Sequence, residues 1–163
     1  MAKTSYAVAL GSNRRSRYGS PAETLRAAAD AIDALTLSRI RSTPALGPAG
    51  RGFANAVATL STNLLPPDLL AQLKQVEAEF GRRSGRRWGP RVLDLDLILW
   101  SGGPWQQPGL LVPHPEFRDR RFVLEPLAEL VPDWRDPLSG ATVRQLLHRL
   151  RSGRPVDRRP DAT

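Results

Sequence analysis

Asp94 and Asp96 stand in the segment Val92-Leu93-Asp94-Leu95-Asp96-Leu97-Ile98-Leu99-Trp100, whose first half alternates strictly. Residues i and i+2 of a strand project from one face, so this spacing sets two carboxylates ~7 Å apart on the same side of a sheet. Oxygen clusters at that separation suit Mg²⁺, which takes a few carboxylates together with water and substrate phosphate. Asp-Leu-Asp alone is also how a half-exposed strand is written. The neighbourhood distinguishes this one. Immediately upstream, residues 82–91 read Arg82-Arg83-Ser84-Gly85-Arg86-Arg87-Trp88-Gly89-Pro90-Arg91, five Arg in ten residues. Cations for terminal phosphates and carboxylates for bridging metals therefore share one short segment. In isolation the loop is equally a solvated basic loop or a nucleic-acid contact. Trp88 tilts the reading toward a ligand site, because an aromatic flanked by Arg can wall a pocket or stack on a ring.

Three further residues could do chemistry. His114 is held between Pro113 and Pro115, four residues before the basic cluster Arg118, Arg120 and Arg121; a fixed backbone cuts the entropy lost on gripping a phosphate oxygen, and a structural loop histidine is the alternative. Asn55 can offer a donor and an acceptor to a flat heterocycle, or be an edge residue of its strand. Glu77 falls on or beside an apolar helical stripe, where the plain alternative is a rim carboxylate paired with a nearby arginine. His148 lies within the last amphipathic helix and reads as a surface or core-edge residue.

These groups need a frame. Tyr6–Leu10 reads as a strand stopped by Gly11-Ser12-Asn13. Ser20-Pro21-Ala22-Glu23 carries a capping box with proline at the first helical position, and Leu25, Ala28, Ala29, Ile32 and Leu35 continue it as a helix over 21–35. Leu37–Ser42 reads as a second strand, followed by a Gly/Pro-rich loop over 43–52 and a third strand over 53–62. Pro66-Pro67-Asp68 opens a second helix, with Leu69, Leu70, Leu73, Val76 and Phe80 on its apolar face and Gly81 as its stop. After the strand over 92–100 come the rigid Val112-Pro113-His114-Pro115, a short helix within 122–130, and a last helix capped by Thr142 and running to about Leu150. The order is the βαββαβ of a ferredoxin-like α+β sandwich with appended strands and helices. Residues 1–150 form one domain, and the Arg/Pro/Asp-rich tail 151–163 is expected to be disordered.

Composition sets outer limits. The chain of 163 residues carries 24 Lys plus Arg against 16 Asp plus Glu, a net charge of +8. Only Lys3 and Lys74 are lysines; the other 22 basic residues are arginines. This admits a nucleic-acid binder, an enzyme for a polyanionic substrate or an ordinary Arg-rich domain. No cysteine is present, which excludes disulfides, thiolate metal sites and cysteine nucleophiles. No apolar run approaches ~18 residues and the N-terminus is unlike a signal peptide, so a cytoplasmic protein without membrane contact is expected. Neither a Walker-type phosphate loop nor a dinucleotide fingerprint occurs, so any ATP must be held by side chains.

Trp88-Gly89-Pro90-Arg91-Val92-Leu93-Asp94-Leu95-Asp96 resembles the signature of the 6-hydroxymethyl-7,8-dihydropterin pyrophosphokinase family. Further landmarks appear in order: Ala9-Leu10-Gly11-Ser12-Asn13, Ser42-Thr43-Pro44-Ala45-Leu46-Gly47-Pro48, Asn55, Glu77 with Gly81-Arg82, and Val112-Pro113-His114 followed by Arg120 and Phe122. The resemblance implies a monomeric enzyme acting on two small molecules, with no nucleic-acid partner. It implies transfer of the β,γ-diphosphate of ATP to the pterin hydroxymethyl group, with two Mg²⁺ ions and release of AMP, in folate biosynthesis. On that resemblance Asp94 and Asp96 hold the metals, and Arg82 and Arg91 clamp the transferred phosphates. Glu77, Arg87, Trp88, His114 and Arg120 place ATP, with a second loop arginine falling on Arg83 or Arg86. Thr43, Pro44, Leu46, Asn55 and Phe122 form the pterin pocket, where Phe122 and Trp88 sandwich the ring. Lys74 stands where some members have Gln, and Gly109 and Leu111 stand where some members place a basic and a hydroxyl residue beside ATP. The rivals are an Arg-rich nucleic-acid-binding domain and a non-catalytic homologue that only binds pterin or nucleotide.

Overall fold

The computed structural model describes residues 2–43, 53–81 and 92–153. Strand β1 (Thr4–Ser12) is followed by helix α1 (Pro21–Ala31), short strands β2 (Thr36–Leu37) and β3 (Arg41–Thr43), strand β4 (Phe53–Thr62), helix α2 (Pro66–Gly81) and strand β5 (Asp94–Trp100). A hairpin of β6 (Trp105–Gln107) and β7 (Leu110–Val112), a 3-10 turn at Phe117–Asp119, helix α3 (Arg121–Leu130) and helix α4 (Val143–Arg151) complete the order. Of the tail expected to be disordered over 151–163, Arg151 instead closes α4 and residues 152–153 follow as a turn, while the rest lies outside the described residues.

Both helix starts read from capping boxes form as such. In α1 the Ser20 Oγ accepts the Glu23 amide at 3.2 Å while Glu23 accepts the Ser20 amide at 3.1 Å. In α4 Thr142 and Gln145 exchange the same pair of bonds. Each box satisfies two amides that a helix start otherwise leaves without partners.

Two expectations are corrected. Helix α1 ends at Ala31 rather than residue 35, because Asp33 takes φ 56 and turns the chain. Leu35, expected on the buried stripe, is 69% exposed. The strand expected over 37–42 is split into β2 and β3, both antiparallel to β4. Between them Ser38 both donates its amide to the Val57 carbonyl at 2.9 Å and accepts the Val57 amide on Oγ at 3.0 Å. Its side chain replaces a ladder bond, and regular pairing lapses there. The β6–β7 hairpin is an element the sequence pattern did not indicate.

The main sheet runs β2-β4-β1-β5, with β3 also beside β4 and every pair antiparallel. Opposite faces of the central strand feed two cores. Tyr6, Val8 and Leu10 pack with Leu25 and Ala28 of α1 and with Leu69 and Leu73 of α2. Ala7, with Val57, Ile98 and Leu99, packs against Phe117, Leu124, Leu127, Val143 and Leu147 beneath α3 and α4. Pairing shifts from Ala7↔Leu99 to Val8↔Leu97, which leaves Ile98 as an extra residue in β5. The bulge turns Ile98 and Leu99 into the same core, two residues beyond Asp96.

Candidate active site

The site is built on the second face of the sheet, where beyond Ser5 strand β1 offers only Ala7, Ala9 and Gly11. Ala7 lies under the α3–α4 core. Toward the other end the register sets Asn55, Gly11 and Asp94 in one row across three strands, with Val57, Ala9 and Asp96 in the next. A side-chain-free residue between Asn55 and Asp94 leaves the floor open; a Cβ on Gly11 would lie 3.5 Å from the Asn55 Oδ1. Above this floor lies a cavity of about 490 Å³, lined by Ala9, Gly11, Phe53, Asn55, Asp94, Asp96, Ile98, Arg120, Phe122 and Val123 among others. Phe53 and Phe122 are 39% and 40% exposed, unusual for large aromatics, and both face this space.

A second cavity, of about 480 Å³, adjoins it and shares Asp94 and Asp96. Its other walls include Leu70, Lys74 and Glu77 from α2, Gly109–Leu111 from the hairpin region, and His114 with Pro115. The two aspartates thus border both an aromatic, mostly apolar space and a more polar one.

Asp94 is half-buried and Asp96 exposed. The Asp96 carboxylate makes no hydrogen bond or ion pair among the described residues. Those residues also contain no cluster of three or more carboxylates or imidazoles that could cage a metal. Two hard-oxygen carboxylates fit Mg²⁺, which keeps waters and draws its remaining ligands from substrate phosphates rather than from an all-protein cage.

Among the described residues strand β5 is an edge, and two bonds to its outer side organise the site. Glu77 Oε2 accepts the Leu95 amide at 2.7 Å. The His114 amide donates to the Ile98 carbonyl at 3.0 Å, next to the cis Val112–Pro113 bond. The His114 Nδ1 accepts the Glu116 amide at 3.1 Å, which leaves the ring proton on Nε2. Burial holds the His114 pKa below its ordinary value; Arg120 adds to this, while Asp96 and Glu116 oppose it.

The basic cluster expected after His114 is dispersed. Arg118 turns to the buried Asp136. Arg120 pairs with Glu116, its guanidinium 5.6 Å from the centre of the Phe122 ring, and lines the first cavity rather than the one holding His114. Arg121 pairs with Glu125 at 2.9 Å on the surface. His148 is exposed on α4, as expected.

Of the residues singled out from sequence, Asn55, Asp94, Asp96, Arg120 and Phe122 converge on the first cavity, and Glu77 and His114 join the aspartates at the second. Thr43 closes β3 opposite Phe53. Pro44, Leu46, Arg82, Arg83, Arg86, Arg87, Trp88 and Arg91 lie outside the described residues. Phe53 was missed, although its period-two spacing to Asn55 puts both on one face of β4. Gly11 was read only as a strand stop.

Residues 7–132 match the family described as 7,8-dihydro-6-hydroxymethylpterin-pyrophosphokinase (HPPK). The chain is 46% identical over 106 residues to a 2-amino-4-hydroxy-6-hydroxymethyldihydropteridine pyrophosphokinase of Synechocystis sp., covering 65% of this chain and 54% of that protein. It is 45% identical over 137 residues to the protein of the same name in Pseudomonas aeruginosa, covering 80% and 82% respectively. A third relative, the folic acid synthesis protein FOL1 of Dictyostelium discoideum, is 38% identical over 101 residues, which make up 62% of this chain and 15% of that much longer protein.

Proposed function

The chain belongs to the 7,8-dihydro-6-hydroxymethylpterin-pyrophosphokinase family, and from that premise we propose that it is a 2-amino-4-hydroxy-6-hydroxymethyldihydropteridine diphosphokinase of folate biosynthesis. It transfers the β,γ-diphosphate of ATP to the hydroxymethyl oxygen of the dihydropterin. The oxygen–Pβ bond forms as the bond from Pβ to the α-phosphate oxygen breaks, and AMP leaves. The observation that carries this reading is that Asp94 and Asp96 are shared by two adjoining cavities of unlike character. Transfer between two bound molecules needs such a boundary, with anionic ligands where phosphate crosses.

The pterin belongs in the first cavity. Phe53 and Phe122 supply flat apolar surface for the ring, and Asn55 supplies a donor and an acceptor for its edge. The nucleotide belongs in the second, where Lys74 and the His114 Nε2–H are donors for phosphate, ribose or base acceptors. Asp94 and Asp96 would hold two Mg²⁺ ions, which when bound neutralise charge on the phosphate oxygens. Arg82 and Arg91 are proposed to clamp the transferred phosphates, with Arg87 and Trp88 beside ATP and Pro44, Leu46 and Thr43 beside the pterin. Arg120, which lines the first cavity, is proposed to contact the same phosphates. The strand order, with β1 between β4 and β5 and the β2/β3 pair beyond β4, supports a ferredoxin-like sandwich, and residues 1–150 are proposed as a single catalytic domain acting as a cytoplasmic monomer.

The test is incubation of the protein with ATP, Mg²⁺ and 6-hydroxymethyl-7,8-dihydropterin, with products separated by chromatography. AMP and a pterin diphosphate ester formed in equal amounts are expected. AMP release that does not depend on pterin, or none at all, overturns the reading.

A further inference from the structure

The segment from His114 to Arg120 lines both cavities, with His114 and Pro115 at the second and Arg120 at the first. Within itself it is a tight unit: the Phe117 amide donates to the His114 carbonyl at 3.2 Å, the Asp119 amide to the Glu116 carbonyl at 3.1 Å, and Arg120 pairs with Glu116. Its middle is fastened to a distant part of the chain. Arg118 donates through Nε at 2.5 Å and Nη2 at 2.7 Å to the two carboxylate oxygens of Asp136, in the connection between α3 and α4. Asp136 is 0% exposed, and it also accepts the Leu138 amide at 3.0 Å and the Ser139 hydroxyl at 2.7 Å. The Arg118 guanidinium lies 4.7 Å over the ring of Phe117, itself fully buried in the second core.

With its carboxylate fully buried and its guanidinium about one-fifth exposed, a pair of this kind is a poor source of net stability, because desolvation offsets much of its attraction. What a bidentate fork supplies is direction, since two parallel bonds fix the guanidinium and carboxylate planes together. Here the fixed object is the turn between the two ligand-facing side chains. We propose that the Arg118–Asp136 pair positions both substrates at once, by locking the turn that presents His114 to one cavity and Arg120 to the other. Arg118 and Asp136 touch neither cavity and act through those two residues. The proposal rests on the diphosphate-transfer reading for its kinetic consequences, but not for the geometry of His114.

The test compares the full-length protein with Asp136→Asn and with Arg118→Met/Asp136→Leu, the second leaving no unpaired buried charge. In Asp136→Asn the KM values for ATP and for the dihydropterin should both rise on the order of tenfold, since displacements near 1 Å have effects of that size or larger. In a double-mutant cycle the rise in the ATP KM should largely vanish when His114→Ala is already present. Without any substrate, the ¹⁵N resonances of the His114 ring should move in Asp136→Asn as the bond from the Glu116 amide is disturbed. A lower Tm with unchanged KM values and an unchanged His114 signal would overturn the proposal by making the pair merely structural; additive effects in the cycle would overturn action through His114. Should Asp136→Asn not fold, the paired apolar variant reads the same quantities, and wild-type KM values in that folded variant would also overturn it. A wild-type protein that forms no pterin diphosphate would sink the functional reading alone, leaving the His114 resonances to decide the positioning claim.

Discussion

Glu77 accepts the backbone N–H of Leu95 at 2.7 Å, and Leu95 is the residue that separates Asp94 from Asp96. A helix carboxylate thereby replaces the missing neighbour of an edge strand, at the point where that strand turns two carboxylates into the site. Leu95 packs into the α1–α2 core, so its two neighbours in the strand must face the opposite way. Glu77→Ala is expected to cost about 1–3 kcal/mol, the usual consequence of stranding a partly buried donor. It should also lower kcat, because Asp94 and Asp96 lose a fixed backbone. Glu77→Gln keeps an acceptor oxygen and should retain most of the stability. Urea unfolding and steady-state kinetics on both variants are the check; equal destabilisation by Ala and Gln would contradict this role.

Asp96 is exposed and its carboxylate makes no hydrogen bond or ion pair among the described residues, so removing that side chain should leave the fold intact. Asp96→Ala is expected to keep stability within about 0.5 kcal/mol while lowering turnover by roughly 10²-fold or more, as loss of a metal-bearing carboxylate implies. Turnover near wild type at saturating Mg²⁺ would remove Asp96 from the metal site.

Phe53 and Phe122 line the first cavity while two-fifths of their surface is exposed. Each Phe→Ala change should raise the dihydropterin KM by roughly tenfold, in line with ~1–1.5 kcal/mol for an aromatic contact. The ATP dissociation constant, measured by titration without pterin, should stay put. A parallel change in both would mean that the aromatics support the site as a whole.

Gly11→Ala separates space from stability. The added methyl meets the Asn55 Oδ1 at 3.5 Å and the Ala54 carbonyl oxygen at 3.9 Å, both ordinary contacts, so no unfolding penalty is expected. It fills the floor between Asn55 and Asp94, and pterin binding should weaken severalfold. Unaltered pterin affinity in a folded Gly11→Ala protein would show that the ligand does not reach this floor.

The lowered pKa of His114, caused first by burial, gives a signed pH dependence. Below the ordinary value of 6.5 the unfolded chain takes up the ring proton more readily than the folded one. The stability that goes with a neutral His114 is therefore complete above 6.5 and declines as pH falls from there to the folded pKa. His114→Gln should flatten the stability–pH curve through that window when unfolding free energies are measured on either side of it. Identical slopes in the two proteins would exclude the buried neutral ring as the source.

The elements that position the site were largely legible, for reasons that differ from one to the next. Ser20 with Glu23 and Thr142 with Gln145 mark helix starts because a capping box closes within four residues. Strand β4 and helix α2 run over the expected 53–62 and 66–81 because their apolar periods and their Pro and Gly boundaries are local. Leu35 and the 37–42 strand went wrong where local pattern met the pairing partner: Asp33 turns the chain, and Ser38 breaks the ladder against Val57.

By itself the sequence determined which groups are available: two aspartates one residue apart, a proline-framed histidine, an asparagine in a strand and an order of motifs that places the chain in its family. Only the tertiary structure decided which of them meet. Gly11 lies between Asn55 and Asp94 because β1 pairs with strands that start 42 residues downstream of Gly11 on one side and 83 on the other. Arg118, Arg120 and Arg121 are neighbours in sequence, yet they face a buried aspartate, a cavity and the surface in turn. Periodicity and capping are energies of a few adjacent residues, so they can be read along the chain. Register and burial are set by partners far away in sequence, so the two cavities, and the aspartates' place between them, appear only once the sheet is assembled.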